Sequence, residues 1–358
     1  GIGSHLGSRF PSGRQVVDQR VNVSLVRRLV RTESLTIKIF PAGKRTGTEV
    51  AMLYDRTLAK PEFVEAIEKK LRSVDLPVLF DSGYLAPYLQ RGSFSFFQEV
   101  GYTERPVTAA AKICEGKIIV LVNASPFAMI VPYFFNENFQ SLDDYAGKAY
   151  FASAVRLLKY TAFFLSVLLP GLFVSIAEYT PELFPPQLLY KVAAAETATP
   201  LPLFMEMMLV IVLLEIIREA GLRLPKPIGH SVSLVAALIV GDAATKAGIM
   251  STPVLIVAAL TTISIFVIPS LYEPATVLRV LFVLAGGLFG PFGLVTMFFL
   301  MLVSICGMHS FGVPYTSPLV PFGRSALRDG LVRMPWQRLA SHPFDVNDLP
   351  GGEENYES

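Results

Sequence analysis

The sequence is short of the residues that carry most chemistry. It has two cysteines in 358 residues, Cys114 and Cys306, far apart along the chain. They make no disulfide framework, and the part that holds Cys114 is expected in a reducing compartment. The four histidines are scattered, with none between His5 and His230, so no metal site has its ligands. Charge is scarce at 17% of residues, and the formal net charge is only +2, so no nucleic-acid partner is implied. No cofactor motif is found. Gly43-Lys44 lacks the Ser/Thr and the first Gly of a phosphate loop, and a charged turn is the plainer reading. Asp81-Ser-Gly-Tyr84 has no histidine to activate its serine and also reads as a turn. No enzyme is expected. No secretory signal opens the chain, and residues 1–19 read as a disordered cloning remnant or the cut edge of a longer protein.

Apolar residues are what it has, 52% of the total, with a mean hydropathy of +0.49. Residues 1–150 carry 19 basic and 15 acidic side chains, whereas residues 151–310 carry 8 and 8. Four stretches are expected on this basis: a disordered or cloning-derived segment over 1–19, a cytoplasmic soluble domain over 20–145, a helical transmembrane domain over 146–310 and a cytoplasmic tail over 311–358.

In the soluble part, Asn22 to Arg31 has the pattern of a short basic helix. Leu35 to Phe40 and Val50 to Tyr54 read as strands flanking a turn-rich loop, Pro41 to Gly47. Pro61 opens a helix with Phe63, Val64, Ile67 and Leu71 on one face, where Glu65 is placed to pair with Lys69. Pro106 to Glu115 is an alanine-rich helix. Lys117 to Val122 and Phe127 to Pro132 form a hairpin about Asn123-Ala-Ser125. Strands alternating with helices predict a small α/β domain.

A helix crossing the roughly 30 Å hydrocarbon layer needs about 20 apolar residues. Ala154–Tyr179 meets this, with a Pro170-Gly171 break inside it, as do Leu201–Ala220 and Ile249–Ile268. Ile228–Ala244 is shorter and rich in small residues. Val277–Cys306 would be about 45 Å long, too much for one span, and Gly286 to Gly293 interrupts it. Two short helices meeting there bring the count to six. Basic residues test the count. Lys148, Arg156 and Lys159, then Arg218, Arg223 and Lys226, then Arg324 to Arg338 each mark a cytoplasmic end, which requires an even number of crossings. The expected fold class is therefore an α+β/α membrane protein, with a cytoplasmic α/β domain before a polytopic helical domain.

Charges inside such a region need partners. Glu215, Arg218 and Glu219 share one helix face, where Arg218 can pair with either carboxylate, while Glu206 lies on the opposite face from Glu215. An ion pair that fixes helix depth is one reading, and an ion-path or gating role is the other. Asp242 and Lys246 are one turn apart. Ser231, Ser233, Ala236, Ala237, Val240 and Gly241 make the third apolar segment narrow and partly polar, with His230 at its mouth. Close helix packing explains this, and so does a pore lining in which Val240, the bulkiest of these side chains, closes a dewetted gate.

These residues also carry a family resemblance. Glu215-Ile-Ile-Arg-Glu-Ala-Gly-Leu-Arg-Leu-Pro-Lys-Pro-Ile-Gly229 with the Ser231–Gly241 stretch resembles the GerA family, the A subunits of bacterial spore germinant receptors. So do Tyr102-Thr-Glu-Arg-Pro106, Ser125-Pro-Phe-Ala-Met-Ile-Val-Pro132, Phe139-Gln-Ser-Leu-Asp-Asp-Tyr145, Arg156-Leu-Leu-Lys-Tyr160 and the run from Ser310 to Phe322. The F protein of the SpoVA operon is similar to this family too. The resemblance implies an integral protein of the spore inner membrane that works with a transporter-like B subunit and a lipoprotein C subunit. It implies a homo-oligomer in membrane lipid that forms an ion channel, with no catalytic role. Members usually carry a further α/β subdomain before the region that starts here at residue 20. A non-conducting scaffold that clusters receptors is the alternative. An intramembrane enzyme or transporter lacks both a paired nucleophile and base and visible inverted repeats.

Overall fold

Every strand of the main sheet runs antiparallel to its neighbours. The computed structural model describes residues 19–90, 95–223, 241–320, 329–335, 337 and 346. The strands β1 (Leu35–Ala42), β2 (Thr48–Asp55), β3 (Gly101–Thr103), β4 (Ile118–Val122) and β5 (Ala128–Val131) lie in the order β1-β2-β4-β5-β3. Register is fixed by pairs such as Val50 with Val122 and Ile119 with Ile130.

Helices cover both faces. Val50, Met52 and Tyr54 of β2 point to α2 (Pro61–Arg72), whose Phe63, Val64, Ile67 and Leu71 are buried as the sequence pattern predicts. Ala51 and Leu53 point the other way, to α1 (Gln19–Leu29) and α4 (Pro106–Cys114). Because side chains alternate across a strand, two apolar layers demand strands that are apolar on both faces. The run Ile118 to Val122 is such a strand. The short helices α3 (Ala86–Leu89) and α5 (Asp143–Ala146) complete the layer connections. The paired carboxylate of α2 is Glu68, 2.7 Å from Lys38 and 2.8 Å from Arg72, and among the described residues no Glu65–Lys69 pair forms.

The chain divides into two compact units, with the described residues up to Arg156 and those from Ser304 onward in the first and Leu157–Val303 in the second. Residues expected as the start of a tail therefore belong to the α/β unit. Val313 is buried in its core, Phe311 packs on Phe63 edge to face, and Tyr315 packs on Phe97 and Phe135.

The second unit is helical. It contains most of α6 (Ala149–Tyr179), then α7 (Pro186–Thr197), α8 (Leu203–Arg223), a helical stretch at 241–246, α9 (Thr252–Phe266) and most of α10 (Tyr272–Cys306). Among the described residues, two helical stretches, Ala149–Tyr179 and Pro269–Cys306, are long and apolar enough to cross a membrane. Gly290 (φ +60°, ψ −145°) interrupts α10 within the stretch where the sequence places a break. The helix α7 lies in the connection between α6 and α8. Phe173, Val174, Met207, Val210, Val254, Ala258 and Val283 form a core between the helices. A Cβ on Gly171 would lie 2.5 Å from the Phe282 carbonyl oxygen, and one on Gly286 2.5 Å from that of Gly171. Only glycine lets the backbones of α6 and α10 meet this closely.

Candidate functional site

Two kinds of charge stand out in the helical unit. At the C-terminal end of α8, Arg218 reaches Glu215 at 2.5 Å and Glu219 at 3.7 Å, and Arg223 reaches Glu219 at 2.9 Å. The Tyr272 hydroxyl donates to the other oxygen of Glu215 at 2.5 Å, and its ring lies 4.0 Å under the Arg218 guanidinium. Three residues separate Glu215 from Arg218 and four separate Glu219 from Arg223, the spacings that put side chains side by side on a helix. Lys246 and Asp242 pair in the same way at 2.6 Å.

The second kind is buried and has no oppositely charged partner among the described residues. Glu206, 1% exposed, accepts from the Ser251 backbone N–H at 3.2 Å and its hydroxyl at 2.7 Å. Ser251 is the N-cap of α9, so a side chain of α8 supplies the acceptor that the first amides of α9 need. Arg279, 4% exposed, donates from Nε to the Ser166 carbonyl at 2.9 Å and from a terminal nitrogen to the Thr261 carbonyl at 3.4 Å. Sequence reasoning did not single out Arg279. The available signal was a lone arginine in a long apolar run.

The α/β unit has its own ionic node. Arg156, fully buried in the second turn of α6, donates to Asp144 at 3.0 Å and to the Asp329 carboxylate at 2.9 Å and carbonyl at 2.6 Å. The Tyr145 hydroxyl donates to Asp329 at 2.5 Å, and burial followed by that carboxylate pushes its pKa upward. Arg333 donates to the Gly147 carbonyl at 2.7 Å, and its backbone N–H donates to Ser153 at 3.0 Å. Together these bonds hold the returning segment 329–333 against α5 and the start of α6.

Nearby, Glu137 sits between Lys112, at 2.5 Å, and Lys117, and also accepts from the Phe134 amide at 3.0 Å. Burial alone would raise the Glu137 carboxyl, but the two ammoniums hold it down at about 2. Burial pushes the Lys117 ammonium down to about 8, against the pull of Glu137. The Asp81 carboxylate caps Ser82 and accepts from Ser125 at 2.5 Å, with no histidine beside it.

Residues 16–344 match the model of the Bacillus/Clostridium GerA spore germination protein family. The chain belongs to the GerA family. Spore germination protein KA of Bacillus subtilis (strain 168) is 34% identical over 330 residues, which is 92% of this chain and 61% of that protein. The uncharacterized membrane protein YfkQ of the same strain is 34% identical over 326 residues, 90% of this chain and 64% of that protein. The chain thus spans about three fifths of the length of these relatives. The crystal structure of the N-terminal domain of the A subunit of the Bacillus megaterium germinant receptor GerK3 is 25% identical, covering 36% of this chain and 98% of that one, with a TM-score of 0.28.

The structure brings Glu215, Arg218 and Glu219 of this GerA-family chain together. Of the pore-lining candidates, Ser231, Ser233, Ala236, Ala237 and Val240 lie outside the described residues, as does His230. Gly241 is described; it is helical, and a Cβ there would meet nothing within 4 Å.

Proposed function

We propose that this GerA-family chain is the membrane subunit of a nutrient-responsive spore germination receptor, and that it assembles around an axis to form an ion channel. Residues 20–145 form its cytoplasmic domain, 146–310 its membrane domain of six segments, and 311–358 a cytoplasmic segment. It resides in the spore inner membrane, as a homo-oligomer with B and C receptor subunits. The observation that carries this reading is a family match that runs unbroken through both the α/β unit and the apolar helices. The name of the membrane protein YfkQ and two helices long enough to span a bilayer support the membrane placement.

In the channel, the third segment lines the pore. Ser231 and Ser233 face water at its inner end, Ala236, Ala237 and Gly241 leave room, and Val240 closes it by dewetting. Glu215, Arg218 and Glu219 fix the depth of α8 at the cytoplasmic interface.

Potassium flux from liposomes holding the purified chain tests the reading. Val240→Ser is expected to leak without nutrient and Val240→Phe to slow the response. Parental behaviour of both, with no flux in the parent, would leave the scaffold reading. Topology is checked in a Cys114→Ala/Cys306→Ala background with an impermeant maleimide. Glu182→Cys should label from outside, and Lys60→Cys and Gly330→Cys should not.

A further inference from the structure

A proline inside a helix has no N–H, so the carbonyl four residues before it loses its partner. Pro170 does this to Ser166 in α6, whereas in α10 the Gly287 carbonyl is left over because the non-helical Gly290 ends the helix three residues on, just before Pro291. Both carbonyls are satisfied, each by the other helix. Arg279 of α10 donates from Nε to the Ser166 carbonyl at 2.9 Å. The Tyr179 hydroxyl of α6 donates to the Gly287 carbonyl, also at 2.9 Å. The two bonds flank the close approach of Gly171 and Gly286, where main chain meets main chain. The second bond also explains the shape at the α10 break. Gly290 has φ +60°, and a Cβ there would lie 2.8 Å from the Tyr179 ring.

Arg279 is hard to explain otherwise. It is buried, none of the described carboxylates lies within ion-pair distance, and an apolar side chain of its size would avoid the desolvation penalty. Its acceptors are the carbonyl that Pro170 frees and the Thr261 carbonyl of α9.

We propose that Arg279 and Tyr179 are positioning residues that latch α6 to α10, each capping a carbonyl of the other helix that a backbone break leaves over, Arg279 the one freed by Pro170 and Tyr179 the one freed where Gly290 ends the helix. The latch holds the two helices at one mutual angle, and its release accompanies opening of the pore. This last step rests on the channel reading above, but the bonds themselves do not.

The test is a double-mutant cycle on the full chain in lipid nanodiscs, with flux measured on the same variants in liposomes. Arg279→Met leaves the Ser166 carbonyl bare. It is expected to raise the unfolding equilibrium constant about tenfold or more. In Pro170→Ala the new N–H of residue 170 serves that carbonyl, so adding Arg279→Met should cost clearly less. Tyr179→Phe bares only the Gly287 carbonyl; it should raise the unfolding constant by a smaller factor and covers the case in which Arg279→Met does not fold. An equal effect of Arg279→Met in both backgrounds, or no effect of Tyr179→Phe, would overturn the latch. Basal flux should rise in Arg279→Met and fall back toward the parent in the double variant. Coupling in the cycle with no flux from any variant would support the latch and refute the channel reading. A conducting parent whose basal flux neither single variant changes would overturn the link to opening.

Discussion

Arg156→Met would remove the centre of the ionic node in the α/β unit. The guanidinium is fully buried, with Nε on Asp144 and a terminal nitrogen on both the carboxylate and the carbonyl of Asp329. Methionine fills a similar volume but satisfies none of these oxygens. Asp144 keeps Ser141, at 2.7 Å, and Asp329 keeps Tyr145, but two largely buried carboxylates lose the cation that joins them. Breaking a buried pair from one side costs about 3–5 kcal/mol. At roughly 2–4 °C per kcal/mol for a unit of this size, the midpoint of thermal unfolding should fall by about 6 °C or more. Fluorescence-detected size exclusion of heated, detergent-solubilised protein reads that midpoint. A second signature is local. Arg333 is 2% exposed and held by Gly147 and Ser153, so trypsin should cut after it much faster once the segment around Asp329 is released. Arg156→Lys keeps the charge but not the forked geometry and should fall between the two. A midpoint within about 2 °C of the parent, together with unchanged cleavage after Arg333, would refute the claim that this node holds the returning segment.

Three further outcomes follow from the same geometry. The Glu137 carboxyl titrates lower in the folded than in the unfolded chain, so its contribution is complete above its ordinary pKa and is lost as pH falls from about 4.5 toward 2. That amounts to about 3 kcal/mol, and Glu137→Gln should flatten this acid limb in a pH series of unfolding midpoints. Gly171→Ala puts a methyl 2.5 Å from a main-chain oxygen of α10. It should destabilise by about 1–3 kcal/mol, whereas Gly241→Ala, with open space at its Cβ, should cost far less, as read by the same heating assay. Arg218→Ala leaves Glu215 without its cation, while Glu219 keeps Arg223; because the Arg218 side chain is a quarter exposed, the loss should be about 1 kcal/mol and weaken at high salt.

Much of the α/β unit was legible in the sequence because its signals are local. Pro61 and Pro106 mark helix starts, the apolar spacing of Phe63, Val64, Ile67 and Leu71 marks a buried face, and the Asn123-Ala-Ser125 turn joins two apolar runs. What failed was non-local. Three-residue β3 has too few side chains to show a period, and it becomes a strand only by pairing with β5. Phe311, Val313 and Tyr315 looked like the beginning of a tail because nothing near them in sequence says which surface they cover. The helix α7 buries only Val192, so its pattern is faint. In the helical unit, Glu215, Arg218 and Glu219 could be grouped by spacing alone. Arg279 and Glu206 could not, since their partners are main-chain groups and a serine hydroxyl on other elements, which no spacing rule reaches.

That difference bears on how ions would pass through the proposed channel. The charges that sequence spacing groups together lie near helix ends and are paired with each other. The buried ones, Glu206 and Arg279, are tied to an N-cap and to a proline-freed carbonyl, both of which are structural tasks. Neither kind supplies the ring of fixed charge by which many cation pores select. The lining proposed for the channel relies instead on hydroxyls, small side chains and apolar constriction, the composition of the Ser231–Gly241 stretch. Control of opening would lie with helix geometry more than with titration of a charged gate. The elements of the helical unit whose geometry is set by specific cross-helix bonds at backbone breaks are α6 and α10, at Pro170 and Gly290-Pro291.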